Sequence, residues 1–439
     1  MFSTTQTSYL SNVLIICIVL LFSPQVEHQY IFLITSAQIL LISNILFVGR
    51  LHVGYNFLFL IGFTYYLLFF PLLYSLGYAD IDAYSYDLFL KGSLISLFSL
   101  FSYCLGYFLF SLISAKQNFI PTGPNEQFDS KIVFFTSLFF AAAVYLAMGV
   151  TYIHLPSVLL TIFLVFFVLQ PKKEFSLKRF IIFSLFFIVI STLITTGRRD
   201  LIKIFIICLV FLSFTNFNLK LRTLFSIFSA ATLTLVFITF NRTRTGYGLS
   251  YEDTYDILLK NFANAENAIW FFLVNADFSV AYDNYLYLLN KVNLTGELFG
   301  STLMKFLVFF IPRQVWHDKP LDAQQLIIDE QINYTFASGT SQSMNFLGEL
   351  YWNFGLFGAF VGFFLIGFLV KTSQAISENS SKYSIATFLI FSPCIFLMWR
   401  GAISTTFIDS ILSFIFITLN LTCAVILINL LPKKTKNNV

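Results

Sequence analysis

Residues 346–370 read FLGELYWNFGLFGAFVGFFLIGFLV, with a single charged side chain in the run, Glu349. About 20 predominantly apolar residues suffice to cross a hydrocarbon core roughly 30 Å thick, so this run reads as a membrane-spanning helix. Gly348, Gly355, Gly358, Gly362 and Gly367 recur along it and let a neighbouring helix approach closely. Glu349 falls just inside the start, with Tyr351, Trp352 and Asn353 beside it. A carboxylate at that depth is costly to desolvate, which marks it either as a functional residue or as the partner of a nearby arginine.

The rest of the chain has the same character. Of 439 residues, 57% are apolar, 19% aromatic and only 11% charged, and the mean hydropathy is +0.80. A soluble domain carries about 25% charged residues. That deficit excludes a soluble enzyme, a secreted disulfide scaffold and a disordered chain. Apolar runs long enough to span, or nearly so, fall at about 8–23, 29–49, 53–77, 88–113, 132–152 and 154–170, then at 180–196, 200–216, 223–240, 346–370, 384–399 and 403–431. They predict an all-α polytopic membrane protein of about 12 transmembrane helices. A further apolar stretch, 302–311, is followed at once by Pro312. Ten residues of helix rise only ~15 Å, half the hydrocarbon core, so it is expected to be re-entrant or interfacial.

Loop charge tests the count independently. With the N-terminus in the cytoplasm, the inner segments hold Arg50, Lys116, Lys131, the Lys172–Arg179 linker, Lys220, Arg222, Lys371, Lys382 and the Lys433–Lys436 tail. Cytoplasmic loops favour Lys and Arg in this way, and twelve spans leave both termini inside. The chain then divides into helices one to nine (1–240), a large outer loop (241–345), and helices ten to twelve with a cytoplasmic tail (346–439). Loops beyond about 15 residues are usually functional or disordered. This one carries Trp270, Trp316, many tyrosines and amphipathic stretches, so it is expected to be partly helical and to lie against the membrane surface. No basic residue precedes the first apolar run, which reads as a retained helix rather than a cleaved signal.

The nine arginines are distributed against this rule. Only Arg50, Arg179 and Arg222 fall inside, whereas Arg198, Arg199, Arg242, Arg244, Arg313 and Arg400 fall outside. Arginine presents a planar fork that binds phosphate bidentately and stays charged near hydrocarbon. The six sit at helix ends or beside the re-entrant stretch, in Thr195-Thr-Gly-Arg-Arg-Asp200, Asn241-Arg-Thr-Arg244, Phe310-Ile-Pro-Arg-Gln-Val-Trp-His-Asp-Lys-Pro320 and Arg400-Gly401. They suggest a convergent anion site at the depth of lipid phosphates. The plainer reading is that individual arginines snorkel to headgroups or pair with Asp200, Asp253 and Asp318. Pro312 and Pro320 bracket a turn expected to display Arg313, His317, Asp318 and Lys319 together. The five cysteines lie within apolar runs without a CxxC pair, and the four histidines are far apart, so no metal site is indicated. A net charge of +4, with no basic cluster on a soluble region, gives no indication of nucleic acid.

These motifs, with Gly348-Glu-Leu-Tyr-Trp-Asn-Phe-Gly355 opening a late helix, resemble the Wzy family of bacterial O-antigen and capsule polymerases. The resemblance covers roughly 195–205 and 240–360; the first 190 residues match only as generic membrane helices. A His-(Ser/Thr)-x-x-x-His motif found in part of that family is absent. The resemblance implies a glycosyltransferase-C-like, metal-independent enzyme without cofactor, at the outer face of the bacterial inner membrane. Its substrates would be undecaprenyl-pyrophosphate-linked oligosaccharides, and a separate chain-length regulator protein would be its partner. Arg198, Arg199, Arg242, Arg244, Arg313, Lys319 and Arg400 would bind pyrophosphate, and Glu349, His317 or Asp318 would serve as base, with Asp277 a further candidate. A lipid-linked oligosaccharide flippase or other transporter and an O-antigen ligase-like glycosyltransferase are the alternatives.

Overall fold

The computed structural model describes residues 28–48, 55–76, 84–114, 159–162, 164, 184, 186–188, 198–214, 250, 252–253, 256, 277–311, 314–332, 343–378 and 382–430. Among these every regular element is a helix. In chain order they are α1 (Gln29–Val48), α2 (Tyr55–Phe63), a π-helical turn (Thr64–Leu68), α3 (Phe69–Ser75), α4 (Tyr86–Ser114), α5 (Arg198–Phe214), α6 (Asp277–Thr295), α7 (Met304–Leu307), α8 (Ala323–Ile332), α9 (Phe346–Glu378), α10 (Lys382–Leu397) and α11 (Ile403–Leu430). The expected spans at 8–23, 132–152 and 223–240 lie outside the described residues, as do most of those at 154–170 and 180–196.

Three helical stretches among the described residues are long and apolar enough to cross a membrane: Tyr55–Ser75, Tyr86–Phe110 and Phe346–Gln374. Gln29–Ser43 and Ile403–Ile415 are shorter apolar stretches. Two compact units emerge from the packing. One comprises 1–118, 264–376 and 394–408, the other 119–263, 377–393 and 409–439. In the second unit Lys203 on α5 pairs with Asp409 on α11 at 3.8 Å, and Phe391 stacks on Phe414.

The first unit is held by aromatic packing and by small residues that allow helices to touch. A Cβ at Gly106 would strike the carbonyl of Phe364, and one at Gly367 would strike that of Tyr103, so α4 and α9 meet backbone to backbone. Trp399 packs against Phe59, Phe63, Phe346 and Phe363. Its indole N–H donates to the Phe59 carbonyl at 3.1 Å, and its ring fills the place where a side chain at Gly62 would go. Gln38 ties α1 to α4 by donating to the hydroxyl of Ser96 at 2.8 Å.

Two findings add detail to the sequence expectation. Within the expected outer loop, α6 does not simply lie on a surface. Ala281, Tyr282, Tyr285, Leu286, Leu288 and Leu289 are fully buried, and the Tyr285 hydroxyl donates to the Gly92 carbonyl of α4. Five of these six are large or branched apolar side chains, enough to draw a helix of otherwise mixed polarity into the core. Second, the 302–311 stretch forms a single helical turn, α7, followed by bends.

The long run 346–370 is helical but broken. Phe354 (φ −142°, ψ 17°) and Gly355 (φ 58°, ψ −145°) leave helical geometry. The break frees carbonyls of the preceding turn, and two of them find donors elsewhere. Leu298 N–H donates to the Trp352 carbonyl at 3.0 Å and Phe299 N–H to that of Asn353 at 2.9 Å. The donors sit in a tight loop after α6. Gly296 (φ 82°) closes α6 by donating to the Val292 carbonyl, and Phe299 (φ 50°) and Gly300 (φ 87°) complete the bend.

At Gly355 a Cβ would be strained by the positive φ and would also meet the Glu297 carboxylate, whereas at Gly296 nothing lies within 4 Å. Gly355→Ala is therefore expected to destabilise the protein by about 1–3 kcal/mol for the backbone alone, plus the clash. Gly296→Ala meets the positive-φ strain without the clash and should cost less. Thermal unfolding of the two purified variants in detergent checks the ranking.

Candidate functional site

Around this broken helix the first unit concentrates its buried polar side chains. Each of three helices begins with a side-chain cap, since the first N–H groups of a helix have no partner within it. Asn345 caps α9, its Oδ1 accepting from Gly348 N–H at 2.7 Å, while its amide donates to the Ala281 carbonyl of α6. Asp322 caps α8 reciprocally with Gln325: Asp322 Oδ1 accepts from Gln325 N–H at 2.8 Å, and Gln325 Oε1 accepts from Asp322 N–H at 3.3 Å. The third cap is long-range. Ile403 N–H at the start of α11 donates to Glu349 Oε2, 54 residues away in sequence.

The other oxygen of Glu349 is also engaged. Oε1 accepts from the Thr302 hydroxyl at 2.9 Å. Thr302 Oγ1 in turn accepts from the Asn353 amide at 2.7 Å, and the same amide donates to the Glu349 carbonyl at 2.8 Å. Glu349, Asn353 and Thr302 are completely buried. This one carboxylate thus joins the loop after α6, the first segment of α9 and the start of α11.

A charged pair lies beside it. Lys305 on α7 donates to Asp322 Oδ2, with side-chain exposures of 16% and 4%, and the Thr405 hydroxyl donates to the same oxygen at 3.2 Å. Arg400, 8% exposed, occupies the turn between α10 and α11. Its carbonyl accepts from Met344 N–H at 3.1 Å and from the Gln324 amide at 3.2 Å. The turn that carries the guanidinium is therefore fixed from two sides.

The sequence candidates fare differently. Glu349 and Arg400 enter this one cluster. Lys319 is buried, and its ammonium donates to the carbonyls of Phe309 and Ile311, both at 2.9 Å. His317 and Asp318 are exposed on the adjoining turn. The expected joint display on that turn is thus divided, with Lys319 turned inward to hold carbonyls that a longer α7 would have satisfied. Arg198 and Arg199 are the first two residues of α5, and Asp277 is the first of α6. Arg242, Arg244 and Arg313 lie outside the described residues. Thr302, Lys305, Asp322 and Thr405 were not singled out by sequence, although Asp322-x-x-Gln325 is itself a readable capping signal. Among the described residues no group of three or more His, Cys, Asp or Glu side chains gathers as a metal site.

Helix α6 carries titratable groups as well. Burial raises the Asp283 carboxyl above its usual range. Burial lowers the Lys291 ammonium, which stands 5.0 Å from the Trp352 ring centroid.

Comparison with protein families gives a match to a domain of unknown function designated DUF8712, over residues 70–433. The chain belongs to that family. The matched region contains every residue of the buried cluster, from Thr302 to Thr405. Comparison with curated proteins and with solved structures returned no match.

Removing the Thr302 hydroxyl leaves Glu349 Oε1 and the Asn353 amide each short of a buried partner. Thr302→Val is expected to cost about 1–3 kcal/mol for each such group, and Glu349→Ala, which also uncaps α11, at least as much. Thr302→Ser should be close to neutral. Detergent-solubilised thermal melts read the order directly. For Asp283, a folded-state value raised above the unfolded one means stability that is full at low pH and is lost as pH rises through the folded value. Asp283→Asn should therefore raise the melting temperature at neutral pH, and the gain should shrink as pH falls toward the ordinary carboxylate range.

Proposed function

We propose that this protein polymerises undecaprenyl-pyrophosphate-linked oligosaccharide repeat units at the outer face of a bacterial inner membrane, within a glycosyltransferase-C-like fold of about twelve spans. The observation that carries this reading is the placement of arginine in the sequence: on the expected topology six of nine fall at outer span ends or beside the 302–311 stretch, where the orientation rule disfavours them. The fixing of the Arg400 turn by Gln324 and Met344 adds to it, because a preorganised cation stabilises developing charge better than a mobile one.

In the proposed reaction a hydroxyl at the non-reducing end of the incoming repeat attacks the anomeric carbon of the growing chain. The bond from that carbon to the pyrophosphate oxygen breaks, and the electron pair leaves with undecaprenyl pyrophosphate. Arginine side chains at the outer face, Arg400 among them, hold the departing anion, and the hydroxyl proton passes to a base. The exposed pair His317 and Asp318 is better placed for that role than Glu349, whose two oxygens are committed to Thr302 and Ile403. Glu349 instead acts as a positioning residue for the turn that carries Arg400.

A second reading has an observation of its own. Transporters place substrate at broken helices with buried ionisable side chains, and α9 is such a helix, with Glu349 in its first segment. An oligosaccharide flippase therefore stays as the competing proposal.

Deleting the gene and running the surface polysaccharide on a gel separates the two. The expected result is loss of the ladder with a single capped repeat remaining. Loss of all surface glycan, with lipid-linked repeats stranded inside, favours the flippase. In the complemented strain, Arg198→Ala, Arg313→Ala and Arg400→Ala should each shorten or abolish the ladder at unchanged membrane level; loss of one such charge-stabilising donor typically costs about 10²–10³ in rate. A full-length ladder in all three would overturn the arginine site.

A further inference from the structure

A groove runs down the side of α4, lined by Asp87, Leu90, Lys91, Leu94, Ile95 and Phe98 and closed on one edge by Leu356, just past the break in α9. Its volume is about 430 Å³, within the usual range of ligand-sized pockets. Leu94, Phe98 and Leu356 are 48%, 42% and 56% exposed. From Leu90 to Phe98 the helix rises ~12 Å, nearly the depth of one bilayer leaflet.

The two ends differ in chemistry. The lower lining is wholly apolar, while the end at the start of α4 carries a cation and an anion one turn apart. A Lys at i+4 from an Asp often pairs with it, yet here the Lys91 ammonium turns away. It donates to Asn293 Oδ1 at 2.8 Å and lies 5.6 Å from the Tyr351 ring centroid. Asp87 is exposed and forms no ion pair among the described residues. Lys91 has three donors, and its contact with Asn293 uses one.

We propose that this groove is a binding site for a zwitterionic phospholipid with a primary-ammonium headgroup, phosphatidylethanolamine. One acyl chain lies along Leu90, Leu94, Ile95, Phe98 and Leu356. The phosphate is held by Lys91, and the ammonium, with three N–H donors, by Asp87. The charge pattern sets the preference. An anionic headgroup such as phosphatidylglycerol satisfies Lys91 but leaves Asp87 facing negative charge. A choline headgroup satisfies the phosphate contact but has no N–H to give Asp87. A lipid wedged at Leu356 also rests against the segment of α9 that follows the break.

The test uses the full chain purified in mild detergent, stripped of lipid, and then offered phosphatidylethanolamine, phosphatidylglycerol or phosphatidylcholine in native mass spectrometry. The expected result is a one-to-one ethanolamine-lipid adduct at least several-fold more abundant than either of the others. Asp87→Asn should erase the preference over choline and glycerol headgroups while keeping general lipid binding. Lys91→Met should weaken all three lipids, and Lys91→Arg should keep the wild-type pattern. To separate binding from folding, each variant is compared for the rise in melting temperature on adding phosphatidylethanolamine, which should be present in wild type and lost in Asp87→Asn. Equal adducts of all three lipids in wild type, or an unchanged preference in Asp87→Asn, would overturn the proposal. So would the absence of any adduct, which would mean that protein rather than lipid fills the groove.

Discussion

A carbonyl in an apolar helix needs a donor, and water is absent from the hydrocarbon interior to supply one. The break at Phe354 and Gly355 creates that demand, and Leu298 and Phe299 meet it from the loop after α6. Most of the first unit follows from this requirement. The loop must bend tightly to present two successive N–H groups, which accounts for the positive φ values of Gly296, Phe299 and Gly300. Holding the loop there brings Thr302 beside Glu349, and Glu349 then reaches the first N–H of α11. A single backbone irregularity thus specifies where three separate stretches of chain meet.

The side chains of the cluster act mainly on one another. Buried carboxylates stabilise only when their lone pairs are filled. Glu349 fills its own with a hydroxyl and a backbone N–H, and Asp322 with a lysine, a hydroxyl and a backbone N–H. These arrangements hold the turns around them, including the turn that carries Arg400. Membership of a family whose model spans residues 70–433 means that the matched region includes the whole cluster.

Much of the helix content was legible in the apolar runs. The stretches at 29–49, 88–113 and 403–431 correspond to Gln29–Val48, Tyr86–Ser114 and Ile403–Leu430 within a few residues, because a run of apolar side chains of spanning length has few other solutions. The break in α9 was not legible. Gly355 is one of five glycines in its run, and what distinguishes it is a partner loop 57 residues earlier at Leu298. The depth of α6 was missed for a related reason: Asp283, Asn284, Lys291 and Asn293 give it a surface-like composition, while its tyrosines and leucines decide its packing. Glu349 stood out as an isolated charge in an apolar run, but its role did not, since its partner Ile403 contributes a backbone N–H that every non-proline residue possesses. Arg400 was readable as an arginine between helices; that its turn is anchored by Gln324 and Met344 required the fold.

The indole of Trp399 occupies the notch at Gly62, and its N–H bonds the Phe59 carbonyl across 340 residues of sequence. Contacts of such separation form late, because the chain between them must first be closed into place. During synthesis α2 therefore enters its surroundings long before the ring that completes its packing exists. Until the turn after α10 emerges, Phe59, Phe63 and the bare face at Gly62 lack the ring that completes their packing. The last fifth of the chain is thus the keystone of assembly. A truncation before Trp399 would remove more than a terminal hairpin, because the first helices would be left without the residue around which their aromatic side chains close.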